Sequence, residues 1–285
     1  MQSSKKKMRN EKIVAFLLSL SAVMVVLPVI AIVYFLLSKG YSGLSWSFLT
    51  QMPRDGMQAG GVMPALVGTL YLLVGTLVFA VPMGILAAVY LTECAGRNLF
   101  TRLVRLSIFN LAGVPSIVYG LFGYGLFVLA LHLGKSILAG SATLAVLILP
   151  VVISAAEEAL LSVPVSFREA SYAMGATKWQ TIRRVVLPNA GAGIMTGVIL
   201  GVGRAAGETA PIMFTAAAFY KPHLPSSALE DCMALPYHLY VLATEMFNVP
   251  EKMQWGTAVV LLALVLTMNV IATTIRSRMR KKRVW

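Results

Sequence analysis

Two charged residues four positions apart, Arg204 and Glu208, lie inside one of the most apolar stretches of the chain, in the segment GRAAGETAPI. A guanidinium presents planar hydrogen-bond donors that match the oxygens of an oxyanion, and a nearby carboxylate keeps such a site from trapping the anion too tightly. Burying either charge alone costs several kcal/mol, so the spacing predicts an i, i+4 ion pair. Ionisable residues inside a membrane more often mark a substrate path than a purely structural bridge, which is the alternative.

Composition identifies the setting of this pair. Hydrophobic residues make up 58% of the chain and charged residues only 12%, whereas about a quarter of the residues in soluble domains are charged. The chain is therefore predicted to be an integral membrane protein. Its net charge of +13 is carried by clusters between apolar runs, a pattern that indicates membrane topology and argues against a nucleic-acid partner.

Six stretches have the roughly 20 apolar residues that a helix needs to cross a membrane. They are residues 13–37, 64–91, 113–133, 137–156, 191–218 and 255–275. Eighteen of the 24 Lys and Arg residues fall on the side of the two termini, which places both termini in the cytoplasm. The sequence thus predicts an all-α polytopic protein with six transmembrane helices, in which residues 1–285 form a single transmembrane domain. Residues 97–109 are predicted to be a short helix lying on the membrane lipid.

Small residues recur along the fifth predicted span at Gly193, Gly197 and Gly201. Such a stripe lets helices approach closely. At about 3.6 residues per turn, Arg204 and Glu208 share the face of this stripe. Both charges are therefore expected to point at another helix or a cavity rather than at lipid.

No residue pattern indicates a catalytic, metal-binding or disulfide site. Cys94 and Cys232 fall on opposite sides of the predicted membrane, and the three histidines lack the spacing of metal ligands. The tripeptide GKS at 134–136 lacks the first glycine of a phosphate-binding loop and is predicted to be external. We therefore expect a protein that is not an enzyme and that binds no cofactor itself.

A basic, amphipathic segment connects the fourth and fifth spans, within a cytoplasmic loop at about 157–190. It predicts one helix over 168–174, a left-handed turn at Gly175, and a second helix that Thr177 caps and that runs to residue 186. Pro188 is predicted to stop this helix and to begin the fifth span. The external segment at about 219–254 is either a docking or gating surface or an ordinary connector.

The cytoplasmic segment resembles the EAA loop of ABC importer permeases in the spacing of its conserved positions. The motif places Glu169, Ala170 and Ser171 first, then three residues, then Gly175, with Leu187 and Pro188 at its end. The resemblance implies the type I ABC importer permease fold and a separate cytoplasmic ABC ATPase dimer, which uses ATP and Mg. The positions that it implies for coupling to the ATPase are Glu169, Ala170, Gly175, Leu187 and Pro188.

Two further segments, GRAAGETAP and the AGVPSIVYGLFG of residues 112–123, are similar to the A-type permease subunits (PstA) of phosphate-specific ABC importers. Pro211 favours the A-type over the related C-type. The resemblance implies a place in the bacterial cytoplasmic (inner) membrane, a C-type second permease subunit and an external phosphate-binding protein. It also implies that Arg204 meets the anion while Glu208 holds or releases the arginine.

Alternatives remain open from the residues alone. A permease for molybdate, tungstate or sulfate would share the coupling loop, and the second permease subunit is either a C-type chain or another copy of this one. An ATP-independent transporter or channel has no need of the coupling loop. A structural scaffold has no need of Arg204 and Glu208 inside a span.

Overall fold

A computed structural model describes residues 2–96, 98–247 and 249–281, and within these ranges the side chains from Val14 to Arg280. Five of the described helices are long and apolar enough to cross a membrane: Val14–Gly43, Met63–Cys94, Ile137–Leu161, Lys178–Gly207 and Glu251–Arg280. A bent pair, Leu99–Leu111 and Ser116–Ala130, becomes the sixth if it counts as one span. The predicted all-α membrane architecture is confirmed.

The elements follow in chain order. The helices are α1 (Gln2–Gly40), α2 (Trp46–Thr50), α3 (Met63–Val89), α4 (Leu99–Leu111), α5 (Ser116–Gly123), α6 (Ile137–Leu161), α7 (Val165–Ala173), α8 (Lys178–Thr181), α9 (Leu187–Gly207), α10 (Ala210–Thr215), α11 (Leu235–Thr244) and α12 (Glu251–Lys281). Three π-helical segments, Tyr90–Cys94, Tyr124–Ala130 and Ile182–Val186, extend α3, α5 and α8. Two short antiparallel strands, β1 (Pro53–Arg54) and β2 (Ala59–Gly60), pair between α2 and α3.

The long helix α6 lies at the centre of the fold. It packs against α3, α9, α5 and α10, and 67% of an 18-residue apolar stretch of this helix is buried. None of the corresponding apolar stretch of α1 is buried within the chain. The core is therefore built around α6, while α1 offers its apolar surface to lipid or to another subunit.

The chain enters the third span through a sharp bend between α4 and α5. The chain bends by 107° between the two helices. Pro115 is the N-cap residue of α5 and has an extended ψ of 140°. The Tyr119 hydroxyl donates a hydrogen bond of 2.7 Å to the Leu111 carbonyl across the bend. None of the residues of α4 is buried, as expected for the predicted helix on the lipid surface.

The prediction of a continuous fifth span over 191–218 is wrong. Helix α9 ends at Gly207, and Glu208 has extended backbone angles of φ −75° and ψ 126° before α10 begins. Pro211 explains the break, because it has no N–H with which to bond the carbonyl of Gly207. The span is therefore a long helix and a short helix joined at Glu208 and Thr209.

The prediction that Pro188 ends the second cytoplasmic helix is also wrong. Helix α8 continues through Ile182–Val186 into α9, so that Lys178–Gly207 is one helix of 30 residues. The π-helical segment changes the backbone hydrogen-bond spacing just before the proline, which lets the helix accommodate it. The Asn189 amide donates 2.8 Å to the Val185 carbonyl and so provides that carbonyl with a partner at the junction.

Residues 228–230, in the segment that the sequence predicts to be external, close over the start of α6. The backbone N–H groups of Ile137 and Leu138 donate to the carbonyls of Glu230 and Ala228 at 2.8 and 2.9 Å. The next N–H, that of Ala139, donates to the hydroxyl of Ser136 at 3.2 Å. The loop thereby supplies partners for N–H groups that a helix leaves unpaired at its N-terminus.

Candidate functional site

Arg204 and Glu208 form the predicted ion pair. The Arg204 Nε lies 3.4 Å from the Glu208 Oε1, and the two side chains are 32% and 16% exposed. Arg204 is in the last turn of α9, whereas Glu208 follows the helix as its C-cap residue. The break between α9 and α10 thus places the carboxylate, in extended backbone, beside a guanidinium that the helix holds.

Helix α5 packs against this break. A Cβ added at Gly120 would lie 3.0 Å from both the Ala210 carbonyl oxygen and the Pro211 Cα, so the backbones approach as closely as glycine allows. Tyr119, which is 4% exposed, directly precedes Gly120 on this helix. Residues 112–123 and 203–211, which the sequence presents as separate motifs, therefore meet at one place.

Sequence reasoning missed Tyr119 as a member of this site. Its position within residues 112–123 was the only signal, since a tyrosine in an apolar helix is ordinarily a core or interface residue. Its hydroxyl bonds across the bend between α4 and α5, and its neighbour Gly120 packs against the break after α9, so it links the two features.

The glycine stripe packs against α6. A Cβ at Gly193 or Gly197 would collide with the Cβ of Ala159 or Ala155 on that helix, and one at Gly201 would approach Ile148 to 3.2 Å. These contacts hold α9 against the central helix along the turns that precede Arg204. The stripe therefore fixes the position of the arginine relative to the core.

The segment that the sequence predicts to be cytoplasmic forms the predicted helical hairpin of α7 and α8. Gly175 has a φ of +79° at the turn, a conformation that glycine adopts without strain. Thr177 and Gln180 make a reciprocal capping box at the start of α8. Ser171 occupies the third position of the motif. Its hydroxyl oxygen lies 2.9 Å from that of Thr181, and this hydrogen bond links the two helices of the hairpin.

The outer face of this hairpin is exposed and partly apolar. Met174 is 88% exposed and Trp179 is 57% exposed, while Glu169, Ala170 and Gly175 are exposed beside them. Large apolar side chains grouped on a polar surface mark sites of protein interaction. Of the other two residues of the motif, Leu187 is half-buried and Pro188 is exposed, and both lie where the π-helical segment joins α9.

A single helix connects the hairpin with the ion pair. From Lys178 at the hairpin to Gly207 beside Glu208 the helix has 30 residues, a length of about 45 Å at 1.5 Å per residue. Displacement of the hairpin therefore reaches Arg204 without crossing a loop.

No cluster of metal-ligating side chains occurs among the described residues. His238 is buried with both ring nitrogens unpartnered, and burial lowers its pKa to about 4. In the external loop, hydrogen bonds from Ser226 and Lys221 lower the pKa of Glu230 to about 2. Although desolvation opposes the shift, bonds to Asp231 and Glu230 raise the pKa of Lys221 above its ordinary value.

A family profile described as "Binding-protein-dependent transport system inner membrane component" matches residues 80–282. The chain is 35% identical over 277 residues to the phosphate transport system permease protein PstA 1 of Mycobacterium tuberculosis (strain CDC 1551 / Oshkosh), covering 95% of this chain and 90% of that one. It is 34% identical over 239 residues to PstA of Haemophilus influenzae, covering 84% of each chain. With the probable PstA of Methanocaldococcus jannaschii it shares 32% over 264 residues, covering 93% and 92%.

Solved structures share the fold. A chain of a bacterial ABC transporter that imports the acidic polysaccharide alginate superposes with a TM-score of 0.62 at 15% identity, covering 98% of this chain and 99% of that one. A chain of the inward-facing methionine ABC transporter MetNI gives a TM-score of 0.59 at 20% identity, covering 76% and 96%. The fold is that of a type I ABC importer permease, and the chain is a multi-pass membrane protein.

Proposed function

Because the chain belongs to the family of binding-protein-dependent transport system inner membrane components, we propose that it is the A-type permease subunit of an ATP-driven importer that moves inorganic phosphate into the cytoplasm. The relatives named PstA, which cover most of the chain, support this choice of substrate. The observation that carries the proposal is the Arg204–Glu208 pair at a break between two helices of the permease.

Arg204 is the group that meets the anion in this proposal. Among the described residues it makes one ion pair, which is long at 3.4 Å, and a third of its side chain is exposed. This leaves guanidinium donors for the oxygens of phosphate. Glu208 competes with the anion for the same donors, so that phosphate passes the arginine without remaining bound. Selective passage requires a site of this kind, where binding is favourable enough for entry and weak enough for release.

The exposed hairpin of α7 and α8 binds a separate cytoplasmic ATPase dimer, which supplies the ATP and Mg chemistry. Glu169, Ala170 and Gly175 belong to the contact surface, and Leu187 and Pro188 begin the helix that carries the movement inward. The remaining partners are a C-type permease subunit and an external phosphate-binding protein, in the bacterial inner membrane. This chain itself acts as one transmembrane permease domain that binds no cofactor.

Labelled phosphate uptake tests the function most directly. Cells that lack their own high-affinity importer are complemented with this chain and the other importer subunits, with and without excess molybdate or sulfate. We expect ATP-dependent uptake that ignores these competitors and disappears when this chain is omitted. Uptake of another oxyanion in place of phosphate, by an assembled complex, would contradict the proposed substrate.

The site is tested by Arg204→Gln, which removes the positive charge. We expect phosphate uptake to be abolished while assembly with the ATPase is unchanged. Arg278→Gln is the matched control, because Arg278 is an exposed arginine near the end of α12. Normal uptake by the Arg204→Gln variant would remove Arg204 from the path of the anion.

A further inference from the structure

Arg168, in the first turns of α7, uses every nitrogen of its guanidinium. The Nε and Nη2 atoms donate to Glu93 Oε1 at 3.2 and 2.8 Å. The Nη1 atom donates to the Val163 carbonyl at 2.7 Å, and Nη2 also donates to the Leu160 carbonyl at 2.9 Å. The side chains of Arg168 and Glu93 are only 15% and 10% exposed, so this is a built and largely buried contact.

Three elements meet at this guanidinium. Glu93 lies in the π-helical segment that ends the α3 span. Leu160 lies in the last turn of α6, and Val163 is the second residue after that helix ends. The last carbonyls of a helix carry partial negative charge, so the cation is stabilised by α6 as well as by the carboxylate. The fork of the arginine thus fastens the coupling helix α7 to the cytoplasmic ends of both α3 and α6.

This contact gives the hairpin a second connection to the membrane. Helix α8 already continues into α9, which carries Arg204. Helix α7 has no such continuous extension, since Ser162 and Pro164 separate it from α6. In the part of the chain that the structure describes, Arg168 provides the charged, directional link from α7 to α3.

We propose that Arg168 and Glu93 are positioning residues that transmit the movement of the coupling hairpin to α3 and α6, in parallel with its transmission through α9. The inference rests on the proposed function, because it assumes that an ATPase moves the hairpin. A lysine at 168 keeps the charge but cannot reach the carboxylate and both carbonyls at once, so the fork geometry itself carries the link.

A second arginine provides the control for a merely structural role. Arg105, on α4, forms an ion pair with Glu157 of α6 and donates to the Leu91 carbonyl at 2.7 Å. Its chemistry and its cytoplasmic level match those of Arg168, but α4 is not part of the hairpin. The Arg105 side chain is the more exposed of the two, at 41% against 15% for Arg168. If arginine contacts at this level only stabilise the fold, variants of both residues will behave alike.

The test uses the complete importer, with both permease subunits, the ATPase and the binding protein, reconstituted in liposomes. The measured quantity is phosphate transported per ATP hydrolysed, normalised to assembled complex. We expect Arg168→Lys and Glu93→Ala each to lower this ratio by about tenfold, the effect of losing a charge-assisted hydrogen bond. The double variant should fall no further, because both changes break one contact. Arg105→Lys should keep the wild-type ratio.

A wild-type ratio in Arg168→Lys and Glu93→Ala would overturn the inference, and so would an equal fall in Arg105→Lys. Should Glu93→Ala not assemble, Glu93→Gln keeps the shape of the side chain without its charge, and a wild-type ratio in that variant counts equally against the inference. Absence of ATP-driven uptake by the wild-type complex would instead overturn the proposed function. The measurement on the wild-type complex alone therefore distinguishes the two failures.

Discussion

Two arginines near the membrane differ in how completely they are bonded, and that difference separates their roles. Arg168 makes four hydrogen bonds and is largely buried. Arg204 makes one long ion pair with Glu208 and is twice as exposed. A saturated guanidinium holds protein elements together, whereas one with free donors accepts a ligand. The residue type alone does not distinguish the two, and only the surrounding carbonyls and carboxylates do so.

Glu208 is the residue that we expect to set how long the anion stays. In Glu208→Gln the guanidinium of Arg204 no longer has a charged competitor for phosphate. Both the KM for phosphate and the maximal uptake rate are expected to fall, by about tenfold for each 1.4 kcal/mol of added anion affinity. The measurement is uptake as a function of phosphate concentration, and Glu158→Gln, which changes an exposed carboxylate of α6, is the control. A raised KM at an unchanged rate would contradict this role.

At the scale of elements, local signals predicted the hairpin better than the spans. Gly175 and Thr177 act on their own neighbours, so their effect could be predicted from the sequence. The break after Gly207 and the continuous helix through Pro188 depend on compensation elsewhere. A proline in an apolar helix can kink the helix, end it or be accommodated within it. At Pro188, the π-helical segment and the hydrogen bond from Asn189 allow the helix to continue.

The left-handed turn of the hairpin is tested at Gly175. A residue with a Cβ costs about 1–2 kcal/mol in this conformation, and asparagine is the one that tolerates it best. We expect Gly175→Val to reduce the amount of ATPase that co-purifies with the permease and Gly175→Asn to reduce it less. No atom lies within 4 Å of the added Cβ, so backbone conformation, not crowding within the chain, causes the effect. Equal retention by the valine and asparagine variants would show that the turn is not the cause.

The contact between α6 and α9 is tested at Gly197. A methyl group there meets Ala155, and overpacking of this kind costs about 1–3 kcal/mol. We therefore expect Gly197→Ala to lower the thermal midpoint of the purified protein in detergent. Gly125→Ala is the matched control, since nothing lies within 4 Å of its added Cβ. An unchanged midpoint in Gly197→Ala, or an equal fall in Gly125→Ala, would contradict the packing of the stripe.

At the scale of the whole molecule, composition and the distribution of basic residues predicted the membrane class and the all-α topology. The meeting of residues 112–123 with 203–211 could not be predicted in the same way, because it depends on how α5 and α10 fold onto α6. The same holds for the difference in burial between α6, which is mostly buried, and α1, which is not. The distribution of exposed apolar surface follows from the assembled bundle and not from any single segment.

Stability of the whole molecule is expected to depend on pH through His238. Its pKa in the folded protein is about 4, below the ordinary value of about 6.5 in an unfolded chain. The unfolded state therefore binds the proton first, so stability is complete above about pH 6.5 and is lost as the pH falls towards 4. Glu230 does not interfere, because its lowered pKa of about 2 makes its contribution fall only below about pH 4.5.

The measurement is the thermal midpoint between pH 7 and pH 5, which we expect to fall in the wild-type protein and to change less in His238→Leu. The matched control is His223→Leu, because His223 is exposed in the external loop. An identical pH dependence in wild type and His238→Leu would exclude His238 as its origin.

The closed start of α6 bears on where affinity for the transported anion resides. A free helix N-terminus is a ready trap for phosphate, but here the first three N–H groups of α6 are already bonded within the chain, and the nearby Lys221 is neutralised by Glu230 and Asp231. Neither feature offers a resting place at this part of the entrance. If the proposed importer takes its anion from an external binding protein, that protein, rather than this part of the permease, would concentrate scarce anions before they reach the membrane.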